Sequence, residues 1–189
     1  MLHYNLDMMH IEKNVVDNII GILLNLDGKT NNNLKTRQDL KDMGIRSELH
    51  LEKVGNDKPC MPHACYHMNA GENDGFLQVL KHVRVPDGYS SNISCCIKLK
   101  ERKISGMKSH DNHILMQQLF PIVIHISLPP EMSRHLIDLS CFFREIYSKV
   151  LNVEELRALE KRIAVTICEL ERIPSICIYS DGTFSHAFG

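Results

Sequence analysis

The sequence predicts a mainly α-helical protein with little or no strand. The chain of 189 residues has no Trp and only 6% aromatic residues, so its core must be built from Leu, Ile, Val and Met, a composition that favours helix-on-helix packing. Long segments without Pro carry apolar residues at helical spacing, and residues that commonly begin or end helices flank them. With 43% hydrophobic residues, the chain is long enough for one domain with a sizeable core.

The first predicted helix covers residues 6–26, about five turns, and Gly28 follows where a C-terminal glycine is expected. Apolar residues cover most of its circumference, which indicates burial on nearly every side. What remains is a narrow polar strip, which faces either solvent or a polar site inside a larger protein; it consists of Asp7, His10, Asn14, Asp17 and Gly21.

A second helix is expected after the asparagine triplet at residues 31–33, which supplies N-caps, and Gly44 is expected to end it. Its apolar contacts are predicted to be Leu34, Leu40 and Met43.

The middle of the chain is predicted to be less regular. Residues 47–71 contain Gly and Pro and are read as a long loop. A short helix is expected over residues 73–82, ended by the Pro-Asp-Gly turn at residues 86–88. Residues 90–104 alternate weakly and hold either a short strand or irregular structure.

Three helices are expected in the last third of the chain. Ser109 is predicted to cap a helix running through Leu119, which Pro121 then kinks or ends. The next helix opens at the prolines 129–130 and runs to about residue 150, with Leu136, Leu139, Phe143, Ile146 and Val150 inward. The last follows a capping box of Asn152 and Glu155, with an apolar face of Leu156, Leu159, Ile163, Ile167 and Leu170.

Several blocks of the chain, in the same order, resemble the plant CACTA (En/Spm) transposase family. These are residues 5–30, 34–50, 86–94, 104–111 and 113–119. The resemblance extends from residue 1 to about residue 173, whereas residues 174–189 form a C-terminal tail that does not match and is expected to be disordered or loosely attached.

The resemblance implies an RNase H-like enzyme of DNA transposition in the nucleus, in which three carboxylates hold two Mg²⁺ or Mn²⁺ ions. Asp7 and His10 match the family's C-or-D-x-x-H element, so they are expected to be accessory residues beside the catalytic centre and not metal ligands.

The family's three catalytic carboxylates find no match in this chain, which begins six residues before Asp7. The chain is therefore expected to be a truncated fragment: one catalytic-domain helix followed by much of the helical insertion. Such a fragment has no catalytic residues and no cofactor of its own, and is inactive alone. Its expected partners are DNA or an intact transposase. Without the rest of the domain, the apolar sides of the first helix are expected to be exposed and to cause aggregation or a molten N-terminus.

Other residues are candidates for nucleic-acid contact. The net charge of −1 provides no global attraction to DNA, so any contact must be local. One basic cluster serves either as a lysine-protected strand or loop edge or as a phosphate-contacting surface; it comprises Lys98, Lys100, Arg102, Lys103 and Lys108. An alternative function is accordingly a helical module that binds DNA or a protein.

A second candidate group lies at the start of the predicted helix after Ser109. His110, Asp111 and His113 can ligate a metal or contact phosphate, or they can simply be packed and hydrogen-bonded. They are expected to pack near Asp7 and His10 and so to join the insertion to the first helix.

A third candidate is the C-x-x-H-x-C-x-H group of Cys60, His63, Cys65 and His67. These residue types suit Zn²⁺, but their close spacing makes tetrahedral geometry awkward. The group is therefore interpreted either as a small zinc-binding domain or as a chance occurrence of these residues.

The seven cysteines are odd in number and suggest reduced thiols. The sequence contains no G-x-S-x-G elbow, P-loop or H-E-x-x-H motif, and no apolar stretch long enough to be a transmembrane helix.

Overall fold

The computed structural model describes residues 7–26, 33–54, 58–62, 67–84, 93–148, 150 and 152–172. It is mainly helical, which confirms the predicted fold class. The helices are α1 (Met8–Leu23), α2 (Leu34–Asp42), α3 (Ala70–His82), α4 (Ser109–Ile114), α5 (Phe120–Ser127), α6 (Pro130–Ile146) and α7 (Val153–Arg172). Short strands form two antiparallel pairs, β1 (Glu52–Val54) with β2 (Lys58–Cys60) and β3 (Ile97–Lys98) with β4 (Lys103–Ile104).

Helix α1 is shorter than predicted at both ends because local capping stops it. Asp7 is its N-cap. At the other end Asn25 adopts a left-handed conformation (φ 49°), and the N–H groups of Asn25 and Leu26 bond back to the carbonyls of Ile22 and Gly21. This is the Schellman arrangement, in which Asn can replace Gly. The expected stop at Gly28 lies outside the described residues.

The apolar sides of α1 are covered within this chain. Its aliphatic residues from Ile11 to Leu24 are each at most 8% exposed, and α1 packs on α4. The Leu23 carbonyl also accepts the backbone N–H of Met68. The expectation that these sides are exposed is therefore wrong, because the later helices of the same chain bury them.

Helix α2 ends as predicted but packs differently. Gly44 has a positive φ of 66° and closes a second Schellman arrangement. The predicted contacts Leu34 and Met43 are 48% and 62% exposed. The buried side chain is instead Arg37, which is 1% exposed and donates to the carbonyls of Leu49 and Pro62. Arginine thus connects this helix to the segments that follow it.

The described part of the segment predicted as a loop, residues 47–71, contains regular structure. It contains the β1–β2 hairpin, and α3 already begins at Ala70. Asn69 caps α3 through its side chain while Glu72 bonds back to the N–H of Asn69, a capping box that the sequence reading missed. The β3–β4 hairpin supplies the short strand anticipated within residues 90–104.

Helical structure continues through Pro121, so the proline does not end it. Between α4 and α5 the chain makes a π-helical segment, Leu115–Leu119, in which the Phe120 N–H bonds to the Leu115 carbonyl. The widened turn lies directly before Pro121, which has no N–H to donate and whose ring would crowd the preceding turn of an α-helix. The predicted N-cap at Ser109 is also displaced by one residue, to Lys108.

The last two helices follow the predicted apolar pattern closely. Helix α6 packs on α5 and α7, and the Asn152–Glu155 capping box begins α7 with both bonds formed. The predicted inward residues are buried or partly buried except Val150 and Leu156, which are 83% and 49% exposed. Val150 is exposed because α6 ends at Ile146, before the chain reaches it.

In the described part of the chain, every helix is too short or too polar to cross a membrane.

Candidate functional site

The Asp7/His10 pair begins α1. The Asp7 carboxylate accepts the backbone N–H of His10 at 3.1 Å, and both residues are exposed. The bond is to the main chain and not to the imidazole. An aspartate that binds an N–H three residues later is a normal helix N-cap, so this interaction accounts for Asp7 but involves only the main chain of His10.

A buried polar cluster lies one turn further along α1, around Glu12. The Glu12 side chain is 1% exposed although it is a carboxylate on an otherwise apolar face. Two side chains contact it from the α4–π segment, which is α4 together with the π-helical residues 115–119 that follow it. His113 Nδ1 lies 2.8 Å from Oε2, and Gln117 Nε2 donates to Oε1 at 3.0 Å. Both carboxylate oxygens are thereby occupied by donors that lie more than 100 residues later in the chain.

The proton positions in this cluster follow from the chemistry of each group. An ionised Glu12 can only accept, so in that state the Nδ1–H of His113 is the donor. Since Nδ1 is then a donor, the 3.0 Å approach of Gln117 Nε2 to the same nitrogen is a packing contact. Gln117 uses its amide hydrogens on Glu12 and, at 3.5 Å, on the Phe143 carbonyl.

The π-helical segment couples this cluster to α6. Because the Phe120 N–H bonds to Leu115, the Met116 carbonyl loses its usual partner within the helix. The buried Ser140 hydroxyl of α6 donates to that carbonyl. The Ser140 hydroxyl thus supplies the hydrogen bond that the Met116 carbonyl loses in the widened turn. Gln117 lies in the same turn, and its side chain donates to Glu12.

Tyr147, at the end of α6, closes the cluster. Its ring meets His113 edge to face with centroids 4.7 Å apart, and its hydroxyl lies beside Glu12 without a well-formed hydrogen bond in the described part of the chain. Burial raises the pKa of Tyr147, and the negative charges of Glu12 and Asp7 raise it further, because both effects oppose formation of a phenolate.

This raised pKa predicts a loss of stability in alkaline solution. Above pH of about 10, the unfolded phenol releases its proton while the folded phenol retains it, so rising pH favours unfolding. Tyr147→Phe removes this contribution, so its stability should fall less than that of the wild type between pH 8 and 10.5. Urea unfolding of both proteins at the two pH values measures the difference, and equal declines would contradict the prediction.

The turn containing His110, Asp111 and His113 packs against α1, where His113 contacts Glu12. Asp111 is 2% exposed, and its carboxylate accepts the backbone N–H of Lys108 at 2.9 Å. The His110 and His113 rings are 6.4 Å apart and nearly parallel, with His110 exposed.

The basic cluster lies on and beside the β3–β4 hairpin, and part of its charge is paired. Arg102 forms two hydrogen bonds of 2.8 Å with Asp74, and Lys103 pairs with Glu101. The Arg102 guanidinium holds the pKa of the Asp74 carboxyl below its usual range.

The remaining lysines of this cluster form no ion pair with any residue that the structure describes; they are Lys98, Lys100 and Lys108, all exposed. They therefore provide three positive charges at the surface, on the hairpin and just before α4.

The proposed zinc ligands are only partly described. Cys60 is exposed and His67 is buried, whereas His63 and Cys65 lie outside the described residues. Within the residues that are described, no group of three or more His, Cys, Asp and Glu side chains is arranged to hold a metal ion. The unmatched tail, residues 174–189, also lies outside the described part.

The sequence reading missed Glu12, Gln117 and Tyr147. A usable signal existed for Glu12, because it lies four residues after Met8 and four before Val16, on the buried side of an apolar helix. A charge in that position requires a partner, but the position alone does not identify one.

No protein-family model, curated protein or solved structure matches this chain. Inferences about its function therefore depend on its own residues and on their arrangement.

Proposed function

We propose that this chain is a transposon-derived protein that provides the helical part of a CACTA-type transposase. In this proposal α1 is the helix beside the catalytic centre, α2 to α7 belong to the helical insertion, and the chain does not cleave DNA by itself. Asp7 and His10 are then accessory to a centre whose carboxylates and Mg²⁺ or Mn²⁺ ions belong to the intact enzyme, which acts on DNA in the nucleus.

The contact of Glu12 with His113 and Gln117 carries this proposal. It joins α1 to the α4–π segment across 101 and 105 residues, at two of the sequence blocks that resemble the family. Buried contacts between such distant segments support the interpretation that the first helix and the later helices act as one unit.

A second candidate function is a DNA-binding helical module, and the exposed lysines at positions 98, 100 and 108 favour it. Exposed lysines can contact phosphates, and each such contact makes binding salt-dependent.

One DNA assay tests both candidates. The wild-type chain is titrated with duplex DNA at several salt concentrations, and strand cleavage is followed with Mg²⁺ or Mn²⁺ present. If the module function holds, replacing Lys98, Lys100 and Lys108 with Gln should weaken binding and reduce the salt slope by roughly two to three. The fragment proposal expects no strand cleavage, so metal-dependent cleavage would overturn it.

A matched triple variant distinguishes DNA binding through these three lysines from a general effect of net charge. Replacing the exposed Lys35, Lys41 and Lys161 with Gln changes the net charge equally but lies elsewhere. The module hypothesis expects this control to bind DNA nearly as the wild type does. Equal weakening by both variants, or no binding by the wild type, would exclude the hairpin lysines as the binding surface.

A further inference from the structure

We propose that Glu12 and His113 form a proton-dependent latch that holds α1 on α4. The two helices are held most tightly while His113 carries a proton, and the hold weakens when that proton is lost. The latch is a property of the folded chain; only its role as a control of the first helix in transposition rests on the proposed function.

The first argument is charge compensation. Glu12 is 1% exposed, and within the described residues its only ion-pair partner is His113. Gln117 is neutral and supplies a hydrogen bond without a charge. A buried carboxylate is costly unless a positive charge lies next to it, so the state of His113 decides whether Glu12 is compensated.

The second argument is access to solvent. The His113 side chain is 23% exposed, and its Nδ1 is used on Glu12. Its Nε2 forms no hydrogen bond within the described residues, and it is not among their buried unpaired atoms, so this nitrogen faces solvent. Protons can therefore reach the ring while the two helices stay packed.

The charged and titratable groups around Glu12 and His113 determine whether another positive charge can replace the one on His113. On α1, Asp7 adds a negative charge on the same side, and His10 is exposed. On α4, His110 is exposed 6.4 Å from His113, while Asp111 is bound to the main chain. After α6, Tyr147 stays neutral because its pKa is raised. These neighbours provide no permanent positive charge that could replace the one on His113.

Raising the pH should weaken the latch without breaking it. A neutral imidazole can keep its Nδ1–H on Glu12, so the hydrogen bond remains while the charge assistance is lost. Charge-assisted bonds are roughly twice as strong as neutral ones, which corresponds here to roughly a tenfold change in the opening of α1.

Amide hydrogen exchange of the 189-residue chain between pH 6 and 8.5 tests the latch, after correction for the intrinsic pH dependence of exchange. Protection of α1 amides should fall roughly tenfold relative to α7 amides in the wild type. In Glu12→Gln this pH-dependent fall in α1 protection should disappear, because a neutral amide needs no counter-charge.

His110→Gln is the matched control, because His110 is an exposed histidine on the same turn, and this variant should retain the fall in α1 protection. A wild type without the fall, an unchanged fall in Glu12→Gln, or its loss in His110→Gln would overturn the proposal.

His113→Gln gives a second test if Glu12→Gln does not fold. It should show weak α1 protection that does not depend on pH and is close to that of the wild type at pH 8.5; persistence of the wild-type pH dependence would overturn the latch. Because exchange is measured without DNA, the latch can fail while the transposase proposal stands, and the DNA assay can fail while the latch stands.

Discussion

Replacing Phe143 with alanine should lower the free energy of unfolding by about 3 to 5 kcal/mol. Phe143 is 0% exposed on α6, its ring meets Phe142 edge to face with centroids 5.4 Å apart, and its helix packs on both α5 and α7. Truncation removes the buried ring and leaves a cavity that the packed helices cannot fill completely. Urea unfolding followed by circular dichroism at pH 7 measures the loss.

Ile126→Ala is the matched control for the Phe143 variant. Ile126 lies on α5 and is 67% exposed, so its truncation should change stability by no more than about 0.5 kcal/mol. If the two variants lose similar stability, α6 does not form the centre of the core.

The second large effect is expected from Ile19→Ala, at about 2 to 5 kcal/mol. Ile19 lies in the middle of α1 and is 2% exposed, which places it in the core together with the later helices. The variant tests whether α1 is a true part of the folded unit, because truncation of a residue in a loose N-terminal helix would have little effect on the unfolding transition.

Met9→Ala provides the comparison on the same helix, since Met9 is 37% exposed. Met9→Ala should lower the free energy of unfolding much less than Ile19→Ala does. NMR supplies an independent measurement: residues 8–23 of the wild type should give sharp, dispersed signals, whereas a molten N-terminus would give broad ones. Broad signals together with equal effects of the two variants would restore the expectation that this helix is exposed.

Features that depend on neighbouring residues could be predicted from the sequence. The Asn152–Glu155 capping box and the Gly44 stop both lie where the pattern placed them, because each is formed within one turn of the chain. The α7 face formed by Leu159, Ile163 and Ile167 is buried for the same reason, since helical periodicity alone determines which residues share a face.

Features that depend on distant residues could not be predicted. Pro121 was expected to kink or end its helix, but helical structure continues because of a wider turn before the proline and the Ser140 hydroxyl of another helix. Arg37 is buried because two carbonyls from later segments meet it, and Val150 is exposed because the helix before it ends early.

The candidate site shows the same division between local and distant contacts. Asp7 and His10 stood out in the sequence because they are three residues apart, and that local spacing accounts for a helix cap. The buried polar cluster that joins α1 to the rest of the chain is built on Glu12, whose partners follow 101 and 105 residues later.

The sequence by itself therefore determined the mainly helical class, most of the helices and their apolar faces, because hydrogen bonding and side-chain spacing within a helix are local. Only the tertiary structure decided which polar residues are buried, because a charge such as that of Glu12 becomes important when packing removes it from water. Its compensation by His113 depends on how the chain folds over a hundred residues, a distance across which sequence spacing carries no geometric information.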